Sequence, residues 1–404
     1  MSTINKASDF KKNNANYDAI IVGAGVIGSA LALGLAKQKN WKVALIEKNT
    51  PISTNDKPQN LRATALGLPS QALLEELNVW QELKIEQYSA YEHMFVWDEN
   101  SDSELSFSAH DYAKEALGFI VDHFALQACL QAAIKETELI ECFYNTEILE
   151  INSLETFTQV QIQGEQSNLS TQWVFAADGV NSSIRSMAGI AISQHDYHQQ
   201  GIVAKIRTQS PHQNTAWQRY LSSGSLALLP LYSGESSIVW SVTTNEASEL
   251  CELSEPVFNQ RLECALQSRF GTIELCSQRH SFALQSVRAE HYLKNSVVLI
   301  GDAAHGIHPM AGQGANLGFS DVASLLQEIG NLTAKDNKMY RSLRRYERQQ
   351  KLHNQTMDGF LTGLDSLFRN DNVFTNSLRS IGLQTVNKNP LLKSFFAQRV
   401  LSKS

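Results

Sequence analysis

The stretch GDAAHGIHPMAGQGANLG, residues 301–318, combines many glycines with few side chains that could act as a nucleophile or a base. It follows the apolar run SVVLI and precedes FSDVASLLQEIG, so a strand, a glycine-rich turn and a helix are predicted in that order. Bare backbone beside one early acid, Asp302, is typical of a site where a bound cofactor carries the reaction. The protein would then supply binding, orientation and a local electric field.

A dinucleotide site is predicted near the N-terminus, where a strand, a glycine turn, a helix and a second strand follow one another. The apolar run 19–22 ends at Gly23, and Gly25 and Gly28 complete the pattern GxGxxG before a helical segment. Such glycines allow a tight turn, the approach of a pyrophosphate to the helix N-terminus, and close packing of helix on strand. The second strand, KVALIE, ends at Glu47, which suits a ribose diol. This unit does not separate FAD from NAD, because both carry a free 2′-hydroxyl on the adenosine ribose.

A third strand–turn–helix unit is predicted in WVFAADGVNSSIRSMAGI, residues 173–190. The apolar strand leads to Asp178 and then to a helix capped near Asn181 or Ser182, with Arg185 in its first turn. Three such units around one ligand favour a long dinucleotide over a mononucleotide.

Composition sets the broad class of the protein. A chain of 404 residues is long enough for two or three substructures, and its net charge of -7 argues against general nucleic-acid binding. The five cysteines form no CxxC pair, which favours reduced thiols over disulfides, and no HxH, HExxH or facial-triad spacing indicates a metal site. The polar segment 1–16 is interpreted as a disordered lead and not a signal peptide, and no apolar run approaches the ~18–20 residues of a bilayer span. We therefore expect a soluble or at most peripheral protein.

The three motifs together resemble the single-component flavin-dependent aromatic hydroxylases of the para-hydroxybenzoate hydroxylase type. Within that group, further stretches resemble the ubiquinone-biosynthesis hydroxylases, namely LRATALG, LGFIVDHFALQACL, DYHQQGIVAKI, AWQRYLSSGSLALLPL, SIVWSV, IHPMAGQGANLGFSD and RRYERQQKLHNQTM. The resemblance extends from about residue 17 to the C-terminal helices. One departure is Val121-Asp122-His123, where the family usually has Val-Glu-Asn.

The resemblance implies FAD as cofactor, with NADPH or NADH as co-substrate. The FAD-binding residues that it implies are Gly23, Gly25, Gly28, Glu47, Arg62, Gln127, Asp178, Gly179, Gly301, Asp302, Gly312, Gly314, Ala315 and Asn316. Among them, Asp302 would bond the ribityl chain, and the amides at 314–316 would face the pyrimidine edge of the flavin. His308 and Pro309 would belong to a wall beside the flavin ring. Capping or packing is the alternative for His308, and also for His305.

The expected fold is α/β, with a Rossmann-like FAD-binding domain, a substrate domain built on a mixed or antiparallel sheet, and C-terminal helices. The alternating apolar patterns between about 190 and 285 favour that second sheet. The predicted boundaries are a lead at 1–16, a discontinuous FAD-binding domain at 17–85, 110–190 and 286–330, a substrate domain at 86–109 and 191–285, and a helical region at 331–404. Candidate substrate-lining residues are Leu229, Pro230 and Trp240, and ordinary core is the alternative for Trp240.

The implied activity is hydroxylation of the aromatic ring of a polyprenyl phenol in ubiquinone biosynthesis, with NAD(P)H, O₂ and a C4a-hydroperoxyflavin. Two alternatives stay open: a flavin hydroxylase of a soluble aromatic acid, and a non-catalytic flavin-binding scaffold. The expected location is the cytoplasm, peripheral to the inner membrane if the substrate lies in the bilayer. A basic helix face would meet lipid, a biosynthetic complex, a second subunit or only solvent, and it comprises Arg341, Arg344, Arg345, Arg348 and Lys351.

Overall fold

The structure is a computed structural model that describes residues 16–52, 62–99, 104–164, 168–306 and 314–369. Its strands are β1 (Asn16–Val22), β2 (Val43–Glu47), β3 (Ala63–Gly67), β4 (Tyr88–Tyr91), β5 (His93–Asp98), β6 (Glu104–Ser108), β7 (Gly118–Asp122), β8 (Ile140–Tyr144), β9 (Ile148–Ser153), β10 (Thr158–Ile162), β11 (Leu169–Ala176), β12 (Ile192–Thr208), β13 (Thr215–Leu221), β14 (Gly224–Pro230), β15 (Ser236–Thr243), β16 (Ile273–Leu275), β17 (His280–Ala289), β18 (Leu293–Lys294), β19 (Val297–Leu299) and β20 (His305–Gly306). Its helices are α1 (Val26–Lys39), α2 (Leu68–Glu76), α3 (His123–Lys135), α4 (Ser183–Met187), α5 (Thr244–Glu252), α6 (Glu255–Ala265), α7 (Gly314–Ile329) and α8 (Met339–Arg369).

An eight-stranded sheet contains the predicted dinucleotide unit. Its order is β18-β19-β11-β1-β2-β8, and β10 joins β9 to β11. Strands β19, β11, β1, β2 and β8 run parallel to one another, so their carboxyl ends lie at one edge of the sheet. Ile20 and Ile21 are fully buried, as expected for a parallel strand covered on both faces. Helix α1 packs against α7, where a Cβ on Gly34 would lie only 2.5 Å from Leu326 Cδ1.

A nine-stranded sheet confirms the antiparallel region predicted between about 190 and 285. Its order is β20-β17-β12-β15-β14-β13-β5-β6, with β16 beside β12. All neighbouring pairs are antiparallel except β13 with β5, which are parallel. Helices α5 and α6 bury one face of the sheet, where Phe258 and Leu262 pack into its core. The α/β fold class, with a mixed second sheet, is as predicted.

A smaller sheet, β3-β7-β4, connects to the segment that starts α3. Asp122 ends β7 and caps α3, since its Oδ1 accepts from Phe124 N at 2.9 Å and Ala125 N at 3.1 Å. Near the C-terminal end of the described chain, α8 packs along α7. Tyr346 of α8 is fully buried, and its hydroxyl donates to Leu299 O at 3.0 Å, which ties this helix to the parallel sheet. Within the described residues, every helix is too short or too polar to cross a bilayer.

Candidate nucleotide site

Three turns meet at the carboxyl edge of the parallel strands, and we call this region the nucleotide edge (residues 23–28, 177–182 and 300–306). The strands that precede the turns, β1, β11 and β19, are direct neighbours in the sheet. Ala177 N donates to Val22 O at 2.8 Å, and Ile300 N donates to Ala176 O at 3.0 Å. The three motifs of the sequence, far apart in the chain, are thus adjacent in space, as ligand sites in open α/β sheets require.

The first turn can be formed only with glycine at two of its positions. Gly23 has φ +101°, and a Cβ there would lie 2.4 Å from Ala177 O. A Cβ on Gly28 would lie 1.9 Å from Gly23 O, so helix and turn could not approach as they do. Gly25 differs, because none of the described atoms lies within 4 Å of the Cβ position there. Gly25 is also the N-cap of α1 and provides no side-chain cap, which leaves the first helical N–H groups facing open space. This cradle fits a pyrophosphate.

Glu47 and Gln127 both bond to the backbone of the first turn. Glu47 Oε2 accepts from Ala24 N at 2.8 Å, and Gln127 Nε2 donates to Ala24 O at 3.1 Å. Tyr144, which no motif indicated, lies opposite Glu47 on the neighbouring strand β8. Burial raises the pKa of Tyr144 to about 12, and the nearby Cys142 thiol adds to the increase. The sequence signal for Tyr144 is weak, since it is one aromatic residue at the end of an ordinary strand.

In the second turn, the two carboxylate oxygens of Asp178 differ in their hydrogen bonding. Its Oδ2 accepts from Ile184 N at 3.2 Å and from Ser183 Oγ at 3.3 Å. Its Oδ1 is buried and has no partner in the described parts of the chain. Gly179 follows with φ +82° and with no described atom within 4 Å of its Cβ position. The turn therefore offers a buried acceptor beside bare backbone, which suits a hydroxyl-bearing ligand.

Arg185 connects the second and third turns, a function that the sequence did not assign to it. The predicted cap at Ser182 is confirmed, because its Oγ accepts from Arg185 N at 3.0 Å. The guanidinium is buried and donates to Ala303 O and Val180 O, each at 2.9 Å. The sequence showed that Arg185 lies close after the predicted cap. It did not show that its guanidinium donates to Ala303 O, more than 100 residues away.

The third turn presents Asp302. Residues Gly301–Ala303 form a 3₁₀ turn, and Asp302 is exposed on it. Partial desolvation by the protein packed around the carboxyl raises the pKa of Asp302, and the nearby charges of His305 and Arg62 oppose the increase. A Cβ on Gly314, the first described residue of α7, would lie 3.8 Å from Asp302 Oδ1. The third turn, Arg62 and the start of α7 are thus close together.

Asn316 uses its side chain to hold the start of α7 in place. Its Oδ1 accepts from Gly67 N at 2.8 Å and Ser70 Oγ at 2.7 Å, and its Nδ2 donates to Ala65 O at 2.9 Å. The side chain is therefore engaged with β3 and α2. Gly314, Ala315 and Asn316 form the first turn of α7, where backbone N–H groups have no acceptor within the helix. His308, Pro309 and Gly312 lie outside the described residues.

His305 is almost fully buried and contacts Asp321, in agreement with the packing alternative. Its Nε2 lies 2.5 Å from Asp321 Oδ2. Burial alone would lower the pKa of His305, but the Asp321 carboxylate raises it above the usual value.

The candidate substrate residues lie on opposite faces of the nine-stranded sheet. Trp240 is buried in the core beneath α5 and α6, with its ring centroid 6.2 Å from that of Phe258. Leu229 packs instead with the cluster that includes Tyr91 and Ile120, on the side of the small sheet. Pro230 ends the same strand β14. The structure thus places Trp240 in the helix-covered core, whereas Leu229 lies on the other face of the sheet. Pro230 alternates with Leu229 along β14 and so shares the face of Trp240.

The basic face of α8 is partly neutralised within the chain. Arg344 pairs with Glu347, and Arg345 Nε lies 2.6 Å from Glu328 Oε2. Lys351 Nζ donates to a backbone carbonyl, Glu290 O, at 2.5 Å.

Among the described residues, we find no group of three His, Cys, Asp or Glu side chains arranged to hold a metal ion.

The fold and the nucleotide edge define a protein of the dinucleotide-binding α/β class. Residues 16–358 match the family described as FAD binding domain, so the chain belongs to that family and FAD is its cofactor, as predicted. A mitochondrial ubiquinone biosynthesis monooxygenase COQ6 from Danio rerio is 29% identical, with 94% of this chain and 88% of that protein covered. The 3-demethoxyubiquinol 3-hydroxylase of Escherichia coli K12 is 27% identical, with 94% and 97% covered. An uncharacterized protein of Synechocystis is 32% identical, with 93% and 91% covered.

Solved structures agree with the fold. The p-nitrophenol 4-monooxygenase PnpA from Pseudomonas putida DLL-E4 superposes with a TM-score of 0.77 at 15% identity, covering 96% of this chain and 99% of that one. PqsL from Pseudomonas aeruginosa, a probable FAD-dependent monooxygenase, gives 0.76 at 20% identity, covering 91% and 99%. At these identities the likeness shows the fold, which is the predicted para-hydroxybenzoate hydroxylase type.

Proposed function

We propose that this protein is an FAD-dependent monooxygenase that uses NAD(P)H and O₂ to hydroxylate the aromatic ring of a polyprenyl phenol or quinol in ubiquinone biosynthesis. The observation that carries the proposal is the nucleotide edge, complete in a chain whose relatives over about 94% of its length are ubiquinone-biosynthesis hydroxylases by name. In the overall reaction, one oxygen atom enters the ring and the other leaves as water, while NAD(P)H is oxidised.

The residues of the nucleotide edge have separate proposed roles in holding FAD. The N-terminus of α1 at Gly25 would bind the pyrophosphate, and Glu47 would bind the adenosine ribose. Asp302 would accept a hydrogen bond from a hydroxyl of the ribityl chain. Bound FAD would supply the redox chemistry between NAD(P)H and O₂. The N–H groups at the start of α7 would stabilise negative charge on the pyrimidine edge of the reduced ring, by the same dipole effect that binds phosphates.

The proposed substrate side is the face of the nine-stranded sheet that carries Leu229. Pro230, the next residue of β14, alternates to the opposite face. Apolar side chains on the Leu229 face would exclude water from the reacting oxygen and accept an aromatic ring. The division into a discontinuous FAD-binding domain and a sheet domain for the substrate, with the predicted boundaries, is part of this proposal. His308 and Pro309 remain the proposed wall beside the flavin ring.

A polyprenyl substrate resides in the bilayer, so the proposed reaction requires a cytoplasmic protein to reach the inner-membrane surface. Arg341 and Arg348 of α8 are exposed cations that suit a weak contact with anionic lipid. The pairing of Arg344 and Arg345 supports the simpler interpretation, a solvated surface. Contact of the basic face of α8 with a biosynthetic complex or with a second subunit is a further proposal.

The function is tested with purified protein reconstituted with FAD. We expect oxidation of NADPH or NADH to be stimulated by a prenylated phenol, and the product to gain one oxygen atom by mass spectrometry. In a strain that lacks the gene, the prenylphenol should accumulate and the wild-type gene should clear it. A gene carrying Gly25→Asp, which places a carboxylate where the pyrophosphate would bind, is the matched control and should not.

Two results would redirect the proposal. Stimulation by soluble aromatic acids alone would favour a hydroxylase of a different substrate class. A protein that binds FAD yet is not reduced by NADPH or NADH would favour a non-catalytic scaffold.

A further inference from the structure

Behind the third turn of the nucleotide edge lies a buried pair, His305 and Asp321. Asp321 is 0% exposed and His305 is 2% exposed. Asp321 Oδ2 lies 2.5 Å from His305 Nε2, and the same oxygen accepts from Gly301 N at 2.8 Å. One carboxylate oxygen therefore holds both ends of the segment that carries Asp302.

Several contacts hold this turn, among them the bond from Arg185 to Ala303 O, and Asp321 is the one that fixes the N–H of Gly301. Gly301 has φ +59°, in the left-handed region, and directly precedes Asp302. Fixing the N–H of Gly301 fixes the plane of the Ile300–Gly301 peptide, one residue before Asp302. Asp321 belongs to α7, whose first described residue, Gly314, approaches Asp302 Oδ1. The carboxylate of Asp321 thus links the turn to the helix that faces the same ligand.

The other side of the His305 ring faces a small cavity of about 30 Å³. Its lining includes Tyr292, Arg288, Lys351 and Asn354. His305 Nδ1 and Asn354 Oδ1 are both buried, and neither has a hydrogen-bond partner among the described residues. A polar cavity of this volume has room for one or two waters, since about 10–15 Å³ suffices for one. A water there would give the ring a second hydrogen bond while Nε2 stays on Asp321.

We propose that Asp321 and His305 are positioning residues of the flavin site, whose buried pair fixes Gly301 N–H and so holds the Asp302 carboxyl at the ribityl chain of FAD. A carboxylate with two donors, one of them imidazole, is a stronger anchor for a backbone N–H than a neutral side chain. This inference rests on the proposed flavin site and does not depend on which phenol is the substrate.

The test measures the Kd of FAD for the full-length apoprotein by quenching of flavin fluorescence. Asp321→Asn keeps the shape and one acceptor but removes the charge, and we expect it to raise the Kd by at least about tenfold. Asp302→Ala, which removes the proposed ribityl partner itself, sets the scale for a full loss. At saturating FAD, Asp321→Asn should also change the visible circular dichroism of the bound flavin, because the ribityl end would be held differently.

The matched control is Val322→Ala, a fully buried neighbour on α7 that should lower thermal stability but change the Kd by less than about threefold. Equal effects of Asp321→Asn and Val322→Ala on Kd and dichroism would show a merely structural role and overturn the proposal. His305→Gln gives a second test if Asp321→Asn does not fold. Glutamine cannot carry the imidazole charge, so the Kd should again rise, and an unchanged Kd would overturn the role of His305. Wild-type protein that binds FAD but hydroxylates no phenol would refute the proposed substrate without affecting this result.

Discussion

At the scale of single residues, His123 shows how a departure from a family pattern becomes part of the structure. Its side chain is buried, with Nδ1 3.0 Å from Thr64 Oγ1. Burial, assisted by the charge of Arg62, lowers the pKa of His123 to about 3. The neutral ring therefore links α3 to β3, and the Asp122 before it keeps the capping function.

This pKa predicts a specific loss of stability in acid. The unfolded chain takes up a proton on His123 below its ordinary pKa of about 6.5, whereas the folded chain does so only near 3. The free energy of unfolding should therefore fall as pH decreases from about 6.5 towards 3, by up to about 1.4 kcal/mol per pH unit from this one group. Urea unfolding between pH 7 and pH 5 measures the slope.

His123→Asn, which restores the residue usual in the family, is the matched control. Asparagine can still bond to Thr64 but does not titrate, so the slope of the variant should be smaller. Other acids contribute equally to both proteins and cancel in the difference. Identical slopes in the two proteins would contradict the low pKa.

Residue types in the motifs were predictable, but their partners were not. Asp302 and Glu47 were singled out as candidates from the sequence, because each is an acid that follows or ends a strand in a unit with a glycine turn. For Asn316 the sequence indicated the helix start correctly but did not show that the side chain bonds to β3 and α2. Those partners lie about 250 positions away in the chain, where local pattern carries no information.

At the scale of elements, we expect two glycines at the start of α1 to have different functions. Gly25 should matter for FAD binding, and Gly28 should matter for folding. Gly25→Asp places a preferred N-cap residue where no described atom is within 4 Å, so stability of the apoprotein should be unchanged or slightly higher. The same carboxylate should repel the pyrophosphate and abolish FAD binding. Gly28→Ala should do the reverse, because its Cβ would lie 1.9 Å from Gly23 O and cost roughly 1–3 kcal/mol of folding stability.

Urea unfolding of the apoprotein and FAD titration distinguish the two variants. Loss of stability in Gly25→Asp comparable to that in Gly28→Ala would mean that the turn needs glycine at both positions for folding alone. Retained FAD binding in Gly25→Asp would place the pyrophosphate elsewhere.

Secondary-structure elements were predicted better from the sequence than side-chain partners or strand order. Apolar runs of four to eight residues, each followed by a glycine turn and a helical pattern, gave β1, β11, β19 and their helices, because these signals are local. The small sheet β3-β7-β4 was not anticipated, since each of its strands is four or five residues long and its pairings cross more than 20 residues of chain.

At the scale of the whole molecule, FAD would contact segments separated by almost 300 residues, so its binding should stabilise the fold as a unit. At an FAD concentration of about 100 times Kd, the gain in unfolding free energy is about 2.7 kcal/mol. We therefore expect one cooperative thermal transition whose Tm rises with FAD concentration. A Tm that does not respond to FAD, or a second transition that alone responds, would contradict a site assembled from all three turns.

The sequence alone predicted a dinucleotide site and the α/β architecture, because glycine spacing, acids at strand ends and apolar periodicity depend only on near neighbours. Tertiary structure alone decided that the three turns are adjacent, that Trp240 faces the helix-covered core, and that Arg185 and Asp321 hold the turn around Asp302. Such contacts join residues whose separation in the chain is set by the order of strands in the sheet. That order results from the packing of the whole molecule, and no single segment encodes it.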